Sequence, residues 1–168
     1  MPKIIENLRE RLILETERQL RETGYTAVTV RSVAKSCGIG VGTVYNYFPS
    51  KDDMIAACLL ADWEHSVDTV RAAASVSETA KPVLYVLYRE LSGYALTHAS
   101  LFSDPVARAN YGYFAHRYHA ILRTQLAQPL RKFCLDDFTA EFLAEAMITW
   151  TLAGKSFEGL YSLVQKLI

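Results

Sequence analysis

Residues 29–54 read TVRSVAKSCGIGVGTVYNYFPSKDDM, and this stretch decides the fold class. Thr29 is a good N-cap for a short helix through Cys37, and Gly38 ends it. Gly40 to Phe48 reads as a second short helix stopped by Pro49, which cannot donate to a helix ladder. Ser50 then caps a further helix whose first turn holds Asp52 and Asp53, where the helix dipole favours acids. Ala34, Cys37 and Gly38 are small where two helices must approach closely. Val30, Val33, Ile39, Val44 and Phe48 form the apolar set that anchors both. Two short helices around a glycine turn fit a helix-turn-helix, which can place its second helix in a DNA groove but also occurs in bundles that never touch DNA.

Outward from this stretch the punctuation stays helical, and no strand pattern appears. Residues 3–23 carry Ile5, Leu8, Leu12, Thr16 and Leu20 at spacings of three and four, with charges between them. Gly24 sits where the cap of that helix belongs. The helix opened by Ser50 runs to about Ala74, and Ser75 to Glu78 has capping-box spacing. Further helices are expected over Lys81–Ala99, with Pro82 in the first turn, and from Asp104-Pro105 to about Gln128, where Pro129 interrupts. One last long helix covers roughly 137–166. The predicted architecture is all-α: a helix-turn-helix domain over 1–50, a connecting helix over 51–74, and a further helical domain over 75–168.

The chain has 168 residues, 51% of them hydrophobic, enough for a substantial core, and a formal net charge of zero. Residues 1–54 hold eight Lys/Arg against seven Asp/Glu, so total charge does not advertise a nucleic-acid partner. A local basic face suffices, because phosphate contacts depend on local charge. Cys37, Cys58 and Cys134 form no CxxC pair, which fits reduced thiols in a cytosolic protein. No apolar run approaches the roughly 18 residues of a membrane helix. The expected localisation is cytoplasmic, with no membrane partner.

The exposed face of the second short helix shows Val41, Gly42, Thr43, Asn46 and Tyr47. Gly42 permits close backbone approach to DNA, and its neighbours meet base edges or a thymine methyl. Tyr45 and Tyr47 cannot both face one core, so at least one is exposed. Thr29, Arg31 and Ser32 begin the bracing helix, where free N–H groups and hydroxyls suit phosphate. Lys51 clamps phosphate from the other side. Residues 12–54, and most strongly GYTAVTVRSVAKSCGIGVGTVYNYFPSKDDM, resemble the TetR/AcrR family of transcriptional regulators. The resemblance implies an all-helical homodimer on double-stranded palindromic operator DNA, with a variable domain that takes a small-molecule effector. Its expected DNA contacts are Thr29, Arg31, Gly42, Thr43, Tyr45, Tyr47 and Lys51. Glu15, Glu17 and Gln19 depart from the small or apolar residues of the family pattern, which implies looser packing of the first helix. Gly40 and Val41 also depart from it, which weakens side-chain readout at the entry of the recognition helix.

Residues 75–168 carry no family signature. They are rich in aromatics, and aromatic walls with a few polar tips suit a pocket for a flat or apolar effector. The candidates are Tyr85, Tyr88, Phe102, Tyr111, Phe114, Tyr118 and Trp150, with Arg89 as partner for an anionic group; an aromatic core is the competing reading. The helices at about 105–128 and 137–166 stand where the family places its dimer interface, with a stripe through Phe142, Ala146, Thr149, Leu152 or Ala153, and Leu160 to Val164. Two recognition helices about 34 Å apart then read one palindrome.

His116 and His119 share a helix face as metal-ligand pairs do, but no Cys or carboxylate cluster at ligand spacing accompanies them, so surface histidines are the expectation. A metal-sensing regulator and a helical interaction module without DNA binding are the alternatives. No cofactor is expected. No nucleophile–base arrangement, phosphate loop or spaced carboxylate pair argues for an enzyme.

Overall fold

The computed structural model describes residues 7–168, without the side chains of Arg108 and residues 110–118. The helices are α1 (Leu8–Thr23), α2 (Val30–Ser36), α3 (Val41–Tyr45), α4 (Lys51–Val76), α5 (Ala80–Thr97), α6 (Ala99–Ser103), α7 (Pro105–Leu130), α8 (Asp137–Leu152) and α9 (Phe157–Val164). A 3-10 turn, Arg131–Phe133, follows α7. No strand occurs among the described residues, as the sequence predicts. Residues 3–6 of the first predicted helix, Ile5 included, lie outside the described residues.

Two compact units make up the chain. One holds residues 1–61 and 99–114, the other 62–98 and 115–168. Compactness therefore divides the chain differently from the functional division 1–50, 51–74 and 75–168. In the first unit, Leu8, Leu12 and Ile13 of α1 pack with Val28, Val33, Val44, Phe48 and Met54. Tyr25, Ile55, Leu101 and Ala107 form a second cluster, which ties α6 and the start of α7 to this unit. The other unit is built on Trp63, Val67 and Val70 of α4, Val83, Leu84, Leu87 and Leu91 of α5, and Leu143, Ala144 and Met147 of α8.

Local chemistry explains the helix ends. Gly38 has φ 69°; its N–H bonds to Lys35 O at 3.2 Å and that of Ile39 to Ala34 O at 3.0 Å. This is a Schellman end, which needs a left-handed residue that only glycine adopts cheaply. The same device breaks the predicted 137–166 helix in two. Gly154 has φ 76°, its N–H bonds to Thr151 O, and that of Lys155 bonds to Trp150 O. Ser156 then caps α9 by accepting from the Gly159 N–H.

Three other boundaries differ from expectation. Ser75 does not open a capping box: its hydroxyl donates back to Ala72 O at 2.7 Å, and α4 continues through Val76. Pro129 does not interrupt α7, because so near the end it removes a single ladder bond. The recognition helix is also shorter than expected, Val41–Tyr45, followed by a turn in which the Phe48 N–H still bonds to Val44 O.

Candidate nucleic-acid interface

Helix α2 is held by its own first turn. Thr29 Oγ1 accepts from the Ser32 N–H at 2.9 Å, and Ser32 Oγ accepts from the Thr29 N–H at 3.0 Å, a reciprocal capping box. Val28 and Val33 flank this cap and are fully buried in one core, as in a hydrophobic staple. The Ser32 hydroxyl also reaches Gln19 Oε1, at 2.6 Å. The hydroxyl expected to meet DNA is thus engaged inside the unit, where it fixes the angle of α2. Arg31, one residue earlier, is exposed and makes no ion pair or hydrogen bond among the described residues.

The Gln19 amide does more than cap. Its Nε2 donates to Glu15 Oε1 at 2.7 Å and to Ser36 Oγ at 3.3 Å. Instead of loosening the packing of α1, Gln19 is buried with its polar atoms used, bridging α1 to both ends of α2. Glu15 also accepts from Arg18 at 2.7 and 2.9 Å, and this guanidinium, foremost, draws its pKa from 4.5 down to about 2.

Val44 of α3 and Phe48 just after it point inward, 0% and 3% exposed. Tyr45 and Tyr47 are both exposed, at 51% and 43%, so both phenols are available to a partner. Gly42 and Asn46 are exposed, and Val41 and Thr43 half-buried. A Cβ built on Gly42 meets nothing within 4 Å, and its φ is ordinary.

Lys51 lies at the first position of α4 and is half-buried. Its ammonium donates to the Tyr25 carbonyl and sits 4.0 Å above the centre of the Tyr25 ring, an arrangement worth about 0.5–2 kcal/mol. The Tyr25 hydroxyl donates to Asp52 Oδ1 at 2.7 Å. Burial presses the Lys51 ammonium below the ordinary lysine range, opposed by the negative charges of Asp52 and Asp104. The lysine is thereby held in one place, with two of its N–H groups left to donate. Tyr25, which does the holding, was not among the expected site residues. Its adjacency to Gly24 at the end of α1 was the available signal.

Thr29, Arg31, Val41, Tyr45 and Lys51 line a single concave surface of about 560 Å³, completed by Val28, Val30, Pro49 and Ser50. The electrostatics are local. From Gly24 to Lys51 the chain carries Arg31, Lys35 and Lys51 and no carboxylate. Several of the acids that balance the charge of residues 1–54 lie on α1 and are paired there: Glu15 and Glu22 with Arg18, Glu17 with Arg21. This basic surface is invisible in the charge total and suits a phosphate backbone.

The candidates of the second half do not converge in this way. Tyr85 and Tyr88 of α5 meet Phe157 of α9, with ring centres 5.1 and 5.7 Å apart, and Tyr161 stacks on the far side. Arg89 is exposed beside them. Trp150 is exposed on α8, and Phe102 belongs to the first unit. The side chains of Tyr111, Phe114, Tyr118 and His116 lie outside the described residues. His119 Nε2 is 3.6 Å from Glu145 Oε1, and no group of three or more metal-binding side chains occurs among the described residues. Within the proposed dimer stripe, Phe142, Thr149 and Leu152 are exposed as required, whereas Leu160 and Val164 are buried in their own unit's core and drop out of it. No helix among the described residues is long and apolar enough to cross a membrane.

Comparison with known proteins places this geometry in context. Residues 12–58 match the family model "Bacterial regulatory proteins, tetR family". Over 87 residues the chain is 34% identical to the HTH-type transcriptional regulator UidR of Escherichia coli strain K12, covering 51% of this chain and 41% of that protein. The multidrug binding protein EbrR, solved in complex with imidazole, shares the fold with a TM-score of 0.70 at 20% identity, over 98% of this chain and 96% of that one. The repressor AlkX of Dietzia sp. strain DQ12-45-1b, implicated in biodegradation of n-alkanes, gives 0.69 at 16% identity, over 94% and 98%.

Proposed function

The chain belongs to the TetR family of bacterial regulatory proteins, and from that membership we propose that it is a ligand-responsive transcriptional repressor that binds palindromic operator DNA as a homodimer. One observation carries the DNA-binding part: Thr29, Arg31, Val41, Tyr45 and Lys51, drawn from three helices, share one concave basic surface. Arg31, Lys51 and the start of α2 take phosphate, while α3 enters the major groove.

The homodimer reading is supported by the exposed apolar face of α8, where Phe138, Phe142 and Trp150 are 77%, 51% and 48% exposed. Patches of this kind on a folded unit mark protein contacts. The effector reading is supported by the aromatic cluster of α5 and α9 with Arg89 at its edge, and by EbrR holding a small molecule in the same fold. An effector releases DNA only through different affinities for two conformations. Helix α4 contributes to both units and is the candidate carrier of that difference.

The test is a footprint with the full chain on DNA flanking its own gene, followed by Tyr47→Ala and Lys51→Ala. A salt-sensitive footprint, weakened in both variants while they remain folded dimers, is the expected result. Normal binding by both variants would place the DNA face elsewhere.

A further inference from the structure

We infer that α3 reads A·T base pairs, with Asn46 taking the adenine edge and Thr43 the thymine methyl; this rests on the DNA-binding reading above and specifies its ligand. A helix turns about 100° per residue, so buried Val44 fixes the inward side of α3, and buried Phe48 continues it through the following turn, where its N–H bonds to Val44 O. Gly42 and Asn46 then occupy the middle of the opposite side, flanked by Thr43 and Tyr45. Both are exposed.

The chemistry of that face is narrow. No charged residue lies between Lys35 and Lys51, so α3 has neither the Arg or Lys that reads guanine nor the Glu or Asp that reads cytosine. Lys51 is drawn aside by the Tyr25 carbonyl and ring. What remains is the Asn46 carboxamide, whose donor and acceptor match adenine N6 and N7, the methyls of Thr43 and Val41, and the tyrosine hydroxyls, which can donate or accept and so select no one base. The Asn46 amide makes no hydrogen bond among the described residues, so nothing inside the unit uses it. Gly42 makes the contact possible. Its φ is ordinary and a Cβ there would meet open space, so no need of the chain's own packing explains a residue that weakens a helix. A glycine on the outward midline lets the backbone sink toward the base edges and brings short side chains such as Asn46 and Thr43 within reach.

The experiment selects bound half-sites from random duplexes with the full chain, then replaces single bases in the selected site. We expect A·T pairs at the positions covered in the major groove. Replacing the contacted adenine by 7-deazaadenine should weaken wild-type binding about five- to a hundred-fold, and Asn46→Ala should be indifferent to that change. Replacing the contacted thymine by uracil should cost about fourfold, with Thr43→Ser indifferent. Selected G·C pairs at these positions overturn the inference. So does a preference relaxed by Arg31→Ala but not by Asn46→Ala, which would move readout to α2. Either result leaves DNA binding standing, whereas failure to select any sequence would sink the DNA-binding reading and this one with it.

Discussion

Helices α3 and α8 both turn aromatic side chains to solvent, but the surroundings of those rings differ. At the end of α3 and in the turn after it, Tyr45 and Tyr47 carry hydroxyls and lie in a stretch with three cations and no acid. On α8, Phe138, Phe142 and Trp150 offer mostly hydrocarbon, and the charges near them are matched: Glu145 lies within 4.0 Å of both Arg123 and His119. A polyanion rewards the first arrangement, through hydroxyl hydrogen bonds and counterion release. The second gives a nucleic acid little and a protein surface much, since exposed rings gain most from an equally apolar partner. Exposed aromatic area alone therefore does not say what binds; the sign and pairing of the neighbouring charges do.

The sharpest way to break this contrast is to place charge on the α8 face. Phe142→Glu with Trp150→Glu should raise the dimer dissociation constant by about a hundredfold or more, since each ring is a candidate hot spot worth about 2 kcal/mol. Sedimentation velocity checks it, with helical content unchanged because neither ring is buried in the unit. A double variant that stays dimeric would remove α8 from the interface.

On the α3 side the most informative change is small. Gly42→Ala should stabilise the free protein by up to about 1 kcal/mol, through helix propensity, yet weaken operator binding about tenfold or more by holding the backbone off the groove. Opposite signs in a thermal melt and a binding titration would show that the glycine serves a partner. If both improve, Gly42 is not at the DNA.

The two halves also differ in how far their residues could be read in the sequence. The helix-turn-helix was legible because its elements are short and adjacent: cap, glycine, apolar set and exposed face all fall within 26 residues, with local signals for each. The aromatic candidates were legible only as a composition. Whether Tyr85 meets Phe157 depends on how α5 and α9 pack, 72 residues apart, and no local rule fixes that. Glycines show the same limit. Gly38 and Gly154 end helices by one mechanism, but Gly154 follows the mostly apolar run MITWTLA, whose helical pattern outweighed the glycine. Gly38→Ala and Gly154→Ala should each cost about 1–2 kcal/mol in chemical denaturation, because both φ values are left-handed. Only the Gly38 variant should also lose DNA affinity, since it shifts α3 against α2.

The smallest effect expected belongs to the polar bridge that sets α2 on α1. Glu15 titrates near 2 in the folded chain against 4.5 ordinarily, chiefly because Arg18 donates to it. A carboxylate depressed on folding binds fewer protons in the native state, so its contribution is complete above 4.5 and disappears as the pH falls toward 2. Glu15→Gln should therefore melt below wild type at pH 6, and the gap should close as the pH is lowered through that window. Arg18 is 46% exposed, so solvent screens the pair, and salt should shrink the gap further. Gln19→Leu separates the two roles of the bridge. It removes the contacts to Glu15, Ser32 and Ser36 but keeps the Arg18 pair, so the pH-dependent gap should shrink yet persist while α2 loses its anchor and operator affinity falls. If affinity is unchanged, the angle of α2 is set by Val28, Val33 and the capping box without help from the amide.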